Sequence, residues 1–270
     1  MIVIPYQVTL LEPLLATRIA GDPNSAVSYP YIPGSALRGA MVSAYMRKRK
    51  LTALDAGQEE AQRLFFDGRT RYLNAYPIAS EDKRMLPTPR TWFTVKGTDG
   101  PVYDFAHEIP VEQPKQFSAV AGDTRPFCLV EEGDVRFHEQ LRRVTVHTQR
   151  ERVKGRALEE AGAVFQYDAL EEGQVFAGYV LADDSEDAPL LETLLSGYQK
   201  LGGSSNSGYG RVRISIEATI DPSQRHWREV DRRTAALTPH QSFVVTLLSD
   251  TLVRDSESGQ YTVNLKSVLE

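Results

Sequence analysis

Residues 202–211 read GGSSNSGYGR, and this glycine-rich loop constrains the fold more than any other stretch of the chain. Four of its ten residues are glycine, which allows positive φ angles and close approach of a ligand or of another backbone segment. Serine and asparagine side chains, together with exposed backbone N–H groups, provide donors for an anion. The loop lies between a helix predicted over residues 189–201 and a strand predicted over residues 209–220. It is therefore predicted either to cradle a phosphate or nucleic-acid backbone or to form a flexible surface turn.

The overall composition is that of a soluble globular protein, with 41% hydrophobic and 25% charged residues. No apolar run approaches the ~20 residues of a membrane-spanning helix, and the N-terminal MIVIPYQVTLLEP does not resemble a signal peptide. The single cysteine, Cys128, excludes an intrachain disulfide and a multi-cysteine metal site. We therefore expect a cytoplasmic protein with no membrane partner, no cofactor and no metal.

The distribution of charge matters more than the net charge of −5, which argues against a general nucleic-acid coat. Residues 46–50 (MRKRK) form one basic cluster, which either a helix C-terminus or RNA would explain. Residues 142–156 (RRVTVHTQRERVKGR) form a second cluster without helical periodicity, which suits either a grip on single-stranded RNA phosphates or a solvated loop. The RNA-binding candidates in this cluster are His147, Arg150, Arg152, Lys154 and Arg156.

The N-terminal part of the chain alternates strand-like and helix-like patterns. Residues 2–11 (IVIPYQVTLL) are rich in β-branched and aromatic residues, which predicts a first strand. Apolar side chains at helical spacing predict a helix over residues 36–48, with Ser35 as its N-cap. A second helix is predicted over residues 58–66 and a second strand over residues 70–78.

The remainder of the pattern completes one mixed domain. Residues 80–140 are rich in prolines and turns, which predicts a β-rich insertion. The elements predicted after it cover residues 144–147, 163–170 and 173–181 as strands, 189–201 as a helix with Tyr198 on its apolar face, and 209–220 as a strand. Without the insertion, this order is the βαββαβ ferredoxin-like pattern, so we expect an α+β fold.

Domain boundaries follow from composition and from an internal similarity. The ferredoxin-like domain is predicted over residues 1–220, followed by a polar, arginine-rich linker at 221–239. Residues 241–251 (QSFVVTLLSDT) resemble residues 6–17 (YQVTLLEPLLAT), which span the second half of the first predicted strand and the residues after it. Residues 240–270 are therefore predicted as the start of a second, incomplete copy of the domain or as a terminal hairpin.

A second candidate anion site lies at the N-terminus of the predicted helix 36–48. Its backbone N–H groups point toward a ligand, and Arg38 in the first turn supplies a charged contact to a phosphate. An ordinary cap at Ser35 and a surface arginine explain the same residues equally well.

Two motifs together resemble the RAMP superfamily of CRISPR-associated proteins. Residues 31–39 (YIPGSALRG) are similar to the segment that leads into the first helix of that family, and residues 202–211 are similar to its glycine-rich loop. Residues 64–78 with 86–96, and residues 163–178, more narrowly resemble the Csx-type RAMP subunit of type III-D effector complexes.

The resemblance implies an RNA-binding subunit of a guide-RNA-dependent antiviral complex. Such a subunit would hold the 5′ tag of the CRISPR guide RNA and cap the backbone filament, with other RAMP subunits and the large subunit as partners. In the loop, the backbone and polar side chains would contact RNA, a base would stack on Tyr209 and Arg211 would meet a phosphate. The implied loop contacts are Gly202, Gly203, Ser204, Ser205, Asn206, Ser207, Gly208, Tyr209 and Arg211.

Catalysis is not expected, although two alternatives stay open. Related filament subunits cleave target RNA with an aspartate after the first strand, and Asp22 is the only aspartate in residues 12–31. A metal-dependent endonuclease using Asp22 is therefore one alternative, and a protein scaffold without RNA contact is another. Related processing enzymes use a histidine near the glycine-rich loop, but none lies between His147 and His226.

Trp92 and Phe93 are candidates either for a protein contact or for the core.

Overall fold

The computed structural model describes residues 2–18, 25–78, 83–98, 100–106, 116–122, 124–131, 134–148 and 164–217. Its elements as far as residue 138 are β1 (Ile2–Leu10), β2 (Ser25–Val27), α1 (Gly34–Arg49), α2 (Glu59–Ala61), a π-helical turn (Gln62–Phe66), β3 (Thr70–Tyr72), β4 (Tyr76–Pro77), β5 (Leu86–Pro87), β6 (Trp92–Val95), β7 (Tyr103–Asp104), β8 (Phe117–Ala119), β9 (Phe127–Glu131) and β10 (Asp134–His138). The later elements are β11 (Arg142–Thr148), β12 (Val164–Leu170), β13 (Val175–Ala182), a 3₁₀ turn (Ser185–Asp187), α3 (Ala188–Leu195), β14 (Gly197–Lys200) and β15 (Arg211–Ile216).

The described residues therefore form a mixed α+β structure that is mostly strand, with few helices. No described helix is long and apolar enough to cross a membrane. The predicted linker at 221–239 and the predicted second copy at 240–270 lie outside the described residues, as does the whole of the basic run after Thr148.

A central antiparallel sheet organises the chain, with the strand order β14-β15-β1-β13-β3 and β4 paired to β13. Strand β1 lies in the middle and pairs with β13 from Ile2↔Ala182 to Thr9↔Val175. On its other side β1 pairs with β15. The first and last described strands are thus direct neighbours.

One face of this sheet carries the main hydrophobic core. Along β1 the side chains alternate in direction with a period of two, and Ile4, Tyr6, Val8 and Leu10 are all almost completely buried. They pack in one cluster with side chains of both longer helices, namely Leu37, Met41 and Tyr45 of α1 and Leu191, Leu194 and Leu195 of α3. Both helices therefore cover the same face of the sheet.

Helix α1 begins two residues before the predicted start and is capped differently. Pro33 occupies the N-cap position, and the side chain of Asn74 accepts a hydrogen bond from the backbone N–H of Gly34 at 2.9 Å. The prediction of Ser35 as the N-cap is therefore wrong. Gly34 is needed because a Cβ at this position would lie 1.9 Å from the carbonyl oxygen of Tyr72. The first turn of α1 is consequently packed against the end of β3.

The basic residues at the other end of α1 agree with the helix interpretation of MRKRK. Arg47, Lys48 and Arg49 form the last turn, where cations favour the negative end of the helix dipole. Lys50 then ends the helix in a left-handed conformation.

Helix α3 ends six residues before the predicted boundary. Ser196 is extended and Gly197 has a φ of +94°, which stops the helix at Leu195. Residues 197–200 then form β14, and Tyr198, predicted on the apolar helical face, is 73% exposed on this strand. The glycine-rich loop therefore connects the two strands of a hairpin, rather than a helix and a strand.

The strands predicted near the core are confirmed, with shifts at their ends. Residues 2–11 form β1, and the two runs before α3 form β12 and β13. The single strand predicted over residues 70–78 is split into β3 and β4, and the helix predicted over 58–66 forms α2 and the π-helical turn. The last described strand begins at Arg211 rather than at Tyr209.

The proline-rich region forms two small three-stranded sheets, β10-β9-β5 and β7-β6-β8. Trp92 and Phe93 lie on β6 and are both half-buried. The ring of Phe93 stacks on Phe105 with 4.3 Å between centroids, and Phe105 in turn packs edge-on against Phe117. Phe93 thus belongs to a local cluster of aromatic rings.

A buried ion pair ties the π-helical turn to the start of α3. Arg63 donates two hydrogen bonds to Asp187, at 2.7 Å and 2.8 Å. The Asp187 side chain is only 4% exposed, whereas that of Arg63 is 23% exposed. The hydrogen bonds to Asp187 raise the pKa of the Arg63 guanidinium above its ordinary value. This pair fixes α3 against the segment that follows α1.

Arg63→Ala should lower the free energy of unfolding by about 3 kcal/mol, because it leaves the Asp187 carboxylate buried without its cation. Denaturant unfolding of the full chain measures the change. Arg49→Ala is the matched control, since Nη2 of Arg49 donates to both carboxylate oxygens of Glu60 at the surface, where ion pairs contribute little. Equal losses for the two variants would contradict the special role of the buried pair.

Candidate nucleic-acid interface

The glycine-rich loop is held against the segment that leaves β1. The backbone N–H of Gly203 donates to the carbonyl oxygen of Leu15 at 2.9 Å, and that of Gly210 donates to Pro13 at 2.9 Å. Gly202 has a φ of +72°, and a Cβ there would lie 2.4 Å from the Leu15 oxygen. Both ends of the loop are therefore anchored to residues 13–15, which argues against a freely flexible turn.

Two further glycines show different requirements within the loop. Gly210 has a φ of +86°, and a Cβ would lie 2.1 Å from the carbonyl oxygen of Leu201. Gly208 has a similar φ of +84° but open space around it. Glycine is thus demanded by close packing at Gly202 and Gly210, and only by the dihedral angle at Gly208.

The tip of the loop remains accessible between these anchors. Ser204 adopts a φ of +55°, and its carbonyl oxygen accepts a hydrogen bond from the N–H of Ser207 at 2.8 Å. Asn206, Ser207 and Gly208 are exposed. The tip therefore offers an amide, a hydroxyl and backbone groups to solvent or to a ligand.

Tyr209 faces inward, contrary to the stacking role predicted from the sequence. Its side chain is only 6% exposed and packs with Leu15 and Ala169. Its ring meets Tyr167 edge-on, with 5.6 Å between centroids. In this conformation the ring has no free face for a base, because neighbouring side chains cover it.

The hydroxyl of Tyr209 connects the loop to strand β11. It lies 2.7 Å from Oγ1 of Thr145 and 3.4 Å from Nε2 of His147. On the adjacent strand, the hydroxyl of Tyr167 accepts a hydrogen bond from Ser204 at 3.2 Å. We call these five residues, Thr145, His147, Tyr167, Ser204 and Tyr209, the loop–hairpin junction.

His147 is a half-buried member of this junction. Its Nε2 atom also lies 3.2 Å from Oγ1 of Thr145, and its ring stacks on Phe165 at 5.4 Å and 15°. Two hydroxyls thus engage Nε2, and an aromatic ring covers one face. This arrangement suits a residue that positions the loop better than one that exchanges a proton with a ligand.

The proximity of His147 to the loop was missed by the sequence reasoning. The sequence predicts such a histidine only where it lies near the loop along the chain, whereas His147 is 62 residues away from Tyr209. The contact depends on the pairing of β11 with β12, where His147 lies opposite Phe165. No local motif carries that information.

The first two arginines of the basic run are already paired within the protein. Arg142 forms an ion pair with Asp168 at 2.6 Å and also donates to the carbonyl oxygen of Ser28. Arg143 forms an ion pair with Glu172 at 3.0 Å. The catalytic candidate Asp22 lies outside the described residues. So do the other basic candidates, which are Arg150, Arg152, Lys154 and Arg156.

Arg211, which was predicted to meet a phosphate, has a protein partner. Its Nε lies 3.2 Å from Oε1 of Glu12, and its backbone N–H donates to the same carboxylate at 3.1 Å. The Arg211 side chain is nevertheless 56% exposed. It can therefore contact an anion only in competition with Glu12.

Ser35 and Arg38 lie apart from the junction. Both are exposed on the first turns of α1, and Arg38 donates weakly to the carbonyl oxygen of Phe65 at 3.5 Å. The start of α1 packs on the end of β3, whereas the glycine-rich loop follows β14, and these strands are opposite edges of the central sheet. The structure therefore does not combine the two predicted anion sites into one.

Among the described residues no group of three or more His, Cys, Asp or Glu side chains comes together in a way that could hold a metal ion.

Comparison with known proteins adds a family. A family model described as the RAMP superfamily matches residues 9–213, which is more than half of the chain. No curated protein matches this chain.

Three solved structures illustrate what this chain is similar to. One, described as type III-B Cmr-beta bound to cognate target RNA, is 10% identical with a TM-score of 0.47, covering 79% of this chain and 96% of that chain. One described as a type IV-B CRISPR complex is 13% identical with a TM-score of 0.40, covering 80% and 90%. Oligomeric Cmr4 from Pyrococcus furiosus is 14% identical with a TM-score of 0.37, covering 80% and 98%.

The two classes of loop glycine should respond differently to alanine. Gly208→Ala should lower the free energy of unfolding by about 1 kcal/mol, the cost of a left-handed residue with a side chain. Gly210→Ala should lower it by about 3 kcal/mol, because the methyl group also collides with the Leu201 carbonyl. Thermal or denaturant unfolding distinguishes the two, and similar losses would show that the loop is not anchored as described.

The hydrogen bond between Tyr209 and Thr145 should couple the loop to β11. In a double-mutant cycle of Tyr209→Phe and Thr145→Val, we expect a coupling of about 1 kcal/mol in unfolding free energy. Tyr198→Phe removes an exposed hydroxyl from the same hairpin and should leave stability unchanged. Purely additive losses from the first two variants would argue against the contact.

Proposed function

Because the chain belongs to the RAMP superfamily, we propose that it is an RNA-binding structural subunit of a type III CRISPR effector complex, of the Csx type found in type III-D systems. In this role it holds the 5′ tag of the guide RNA and caps the backbone filament, and it does not cut RNA. The observation that carries the proposal is the glycine-rich loop, which is anchored at both ends and leaves Asn206, Ser207 and Gly208 exposed.

The ferredoxin-like character of the domain is part of this proposal. Strands β15, β1, β13 and β3 are neighbours in that order, with α1 between β1 and β3 in the chain and α3 between β13 and β15. The order agrees with the βαββαβ pattern. The two small sheets built from residues 86–138 are then the insertion between its second and third strands.

The chemistry of the loop tip suits a phosphate backbone. Backbone N–H groups near left-handed residues form anion-binding concavities, and the left-handed residues Ser204 and Gly208 flank the tip. The Asn206 amide and the Ser207 hydroxyl add donors without sequence preference.

The non-catalytic part of the proposal is supported by the environment of His147. Its Nε2 atom is engaged by the Thr145 and Tyr209 hydroxyls, so it is not poised toward a substrate hydroxyl. The partners implied by the resemblance are the guide RNA, the other RAMP subunits and the large subunit of the effector complex.

Crosslinking in the assembled complex tests this proposal. The peptide that contains residues 202–211 should crosslink to the 5′ end of the guide RNA. The double variant Asn206→Ala with Ser207→Ala should reduce the amount of guide RNA retained by this subunit several-fold. Gln58→Ala, which removes an exposed amide beside α2, is the matched control and should retain the RNA.

Two outcomes would contradict the proposed role. If neighbouring subunits crosslink to RNA and this chain does not, RNA binding is wrong and only a scaffold role is left. If the complex cuts target RNA with Mg²⁺ and Asp22→Ala abolishes the cut, the subunit is the nuclease.

A further inference from the structure

The hairpin of β14 and β15 has one face that the hydrophobic core does not use. Val212 and Ile214 point into the core and are almost completely buried. Since side chains alternate along a strand and directly opposed residues share a face, the register places four other side chains together on the opposite side. These are Tyr198, opposite Arg213, and Lys200, opposite Arg211, which we call the hairpin face.

Tyr198 is the most unusual member of the hairpin face. It is 73% exposed, more than any other large hydrophobic side chain among the described residues. Within the described part of the chain it makes no hydrogen bond or ring contact. A large aromatic ring left bare on a strand is a platform on which another flat group can stack.

Two basic side chains lie near this ring on the hairpin face. Arg213 lies directly across from Tyr198, is exposed, and has no ion pair with any described residue. Lys200 donates only to the uncharged carbonyl oxygen of Ser205, at 2.8 Å. Two carboxylates of the described residues near this face have partners, since Glu12 is paired with Arg211 and Glu217 accepts a hydrogen bond from the side chain of Gln7.

We propose that the hairpin face binds single-stranded RNA, with a base stacked on Tyr198 and a phosphate held by Arg213. The inference rests on the proposed function and adds a second contact to it, because the glycine-rich loop begins immediately after Lys200. Aromatic rings interleaved with basic side chains are the recurrent means of binding single strands. Arg213 lies directly across from the ring, and Thr9 of β1 lies on the far side of Arg213, so the surroundings are cationic and polar and favour a polyanion over an apolar protein surface.

The test is the affinity of the full chain for a short, labelled single-stranded RNA, measured by fluorescence anisotropy over a series of salt concentrations. Tyr198→Ala should weaken binding about five-fold or more, the loss expected for one stacked base. Tyr198→Phe keeps the ring and should bind like the unmodified chain. Arg213→Ala should weaken binding and reduce the slope of log K against log salt by about 0.7, the value for one lost phosphate contact on a single strand.

Arg47→Ala is the charge control, because Arg47 is equally exposed but lies in the last turn of α1; it should leave the salt slope unchanged. The three side chains changed in these four variants are all at the surface, and unfolding midpoints equal to that of the unmodified chain confirm that each variant is folded.

The outcomes separate this inference from the proposed function. If the loop variant Asn206→Ala with Ser207→Ala weakens binding while Tyr198→Ala and Arg213→Ala do not, the hairpin face is not an RNA site and the proposed function survives. If the unmodified chain binds no RNA either alone or within its complex, the inference and the proposed function are both wrong. If Tyr198→Ala releases the chain from its complex at unchanged RNA affinity, the face contacts a protein and the inference is overturned.

Discussion

The pairing of β1 on both of its edges is the constraint on which the rest of the structure depends. Strand β1 joins β13 on one side and β15 on the other, and its inward side chains meet both α1 and α3 in a single core. The residues that follow it, Pro13 to Leu15, then accept the backbone hydrogen bonds that anchor the glycine-rich loop. One strand therefore sets both the core and the position of the candidate RNA site.

The features that the sequence could predict are those encoded locally. The β-branched alternation of residues 2–10 identifies β1, because that pattern buries one side of a strand. Helical spacing identifies α1, and glycine content identifies a loop with positive φ angles. The Ser196–Gly197 pair is also a recognisable helix stop. A helix that ends at this pair leaves Tyr198 outside the apolar helical face.

The features that could not be predicted depend on strand pairing between distant parts of the chain. Asn74 caps α1 in place of Ser35 because β3 returns beside the helix start. His147 meets the loop because β11 and β12 form a hairpin whose register places Thr145 opposite Tyr167. Tyr209 is buried for the same reason, since that hairpin supplies the surface that covers its ring. Composition and spacing contain no record of these neighbours.

The two tyrosines of the β14–β15 hairpin lie beside basic residues that differ in their partners. Tyr209 turns toward β11 and β12, where the nearby arginines Arg142 and Arg143 are neutralised by Asp168 and Glu172. Tyr198 turns the other way, toward cations that are less fully paired. The net charge of −5 therefore says little about this surface, because local pairing decides which cations remain available to a ligand. Among the described residues, Arg142 and Arg143 are thus held in ion pairs, whereas Arg213 makes no ion pair and lies across from Tyr198.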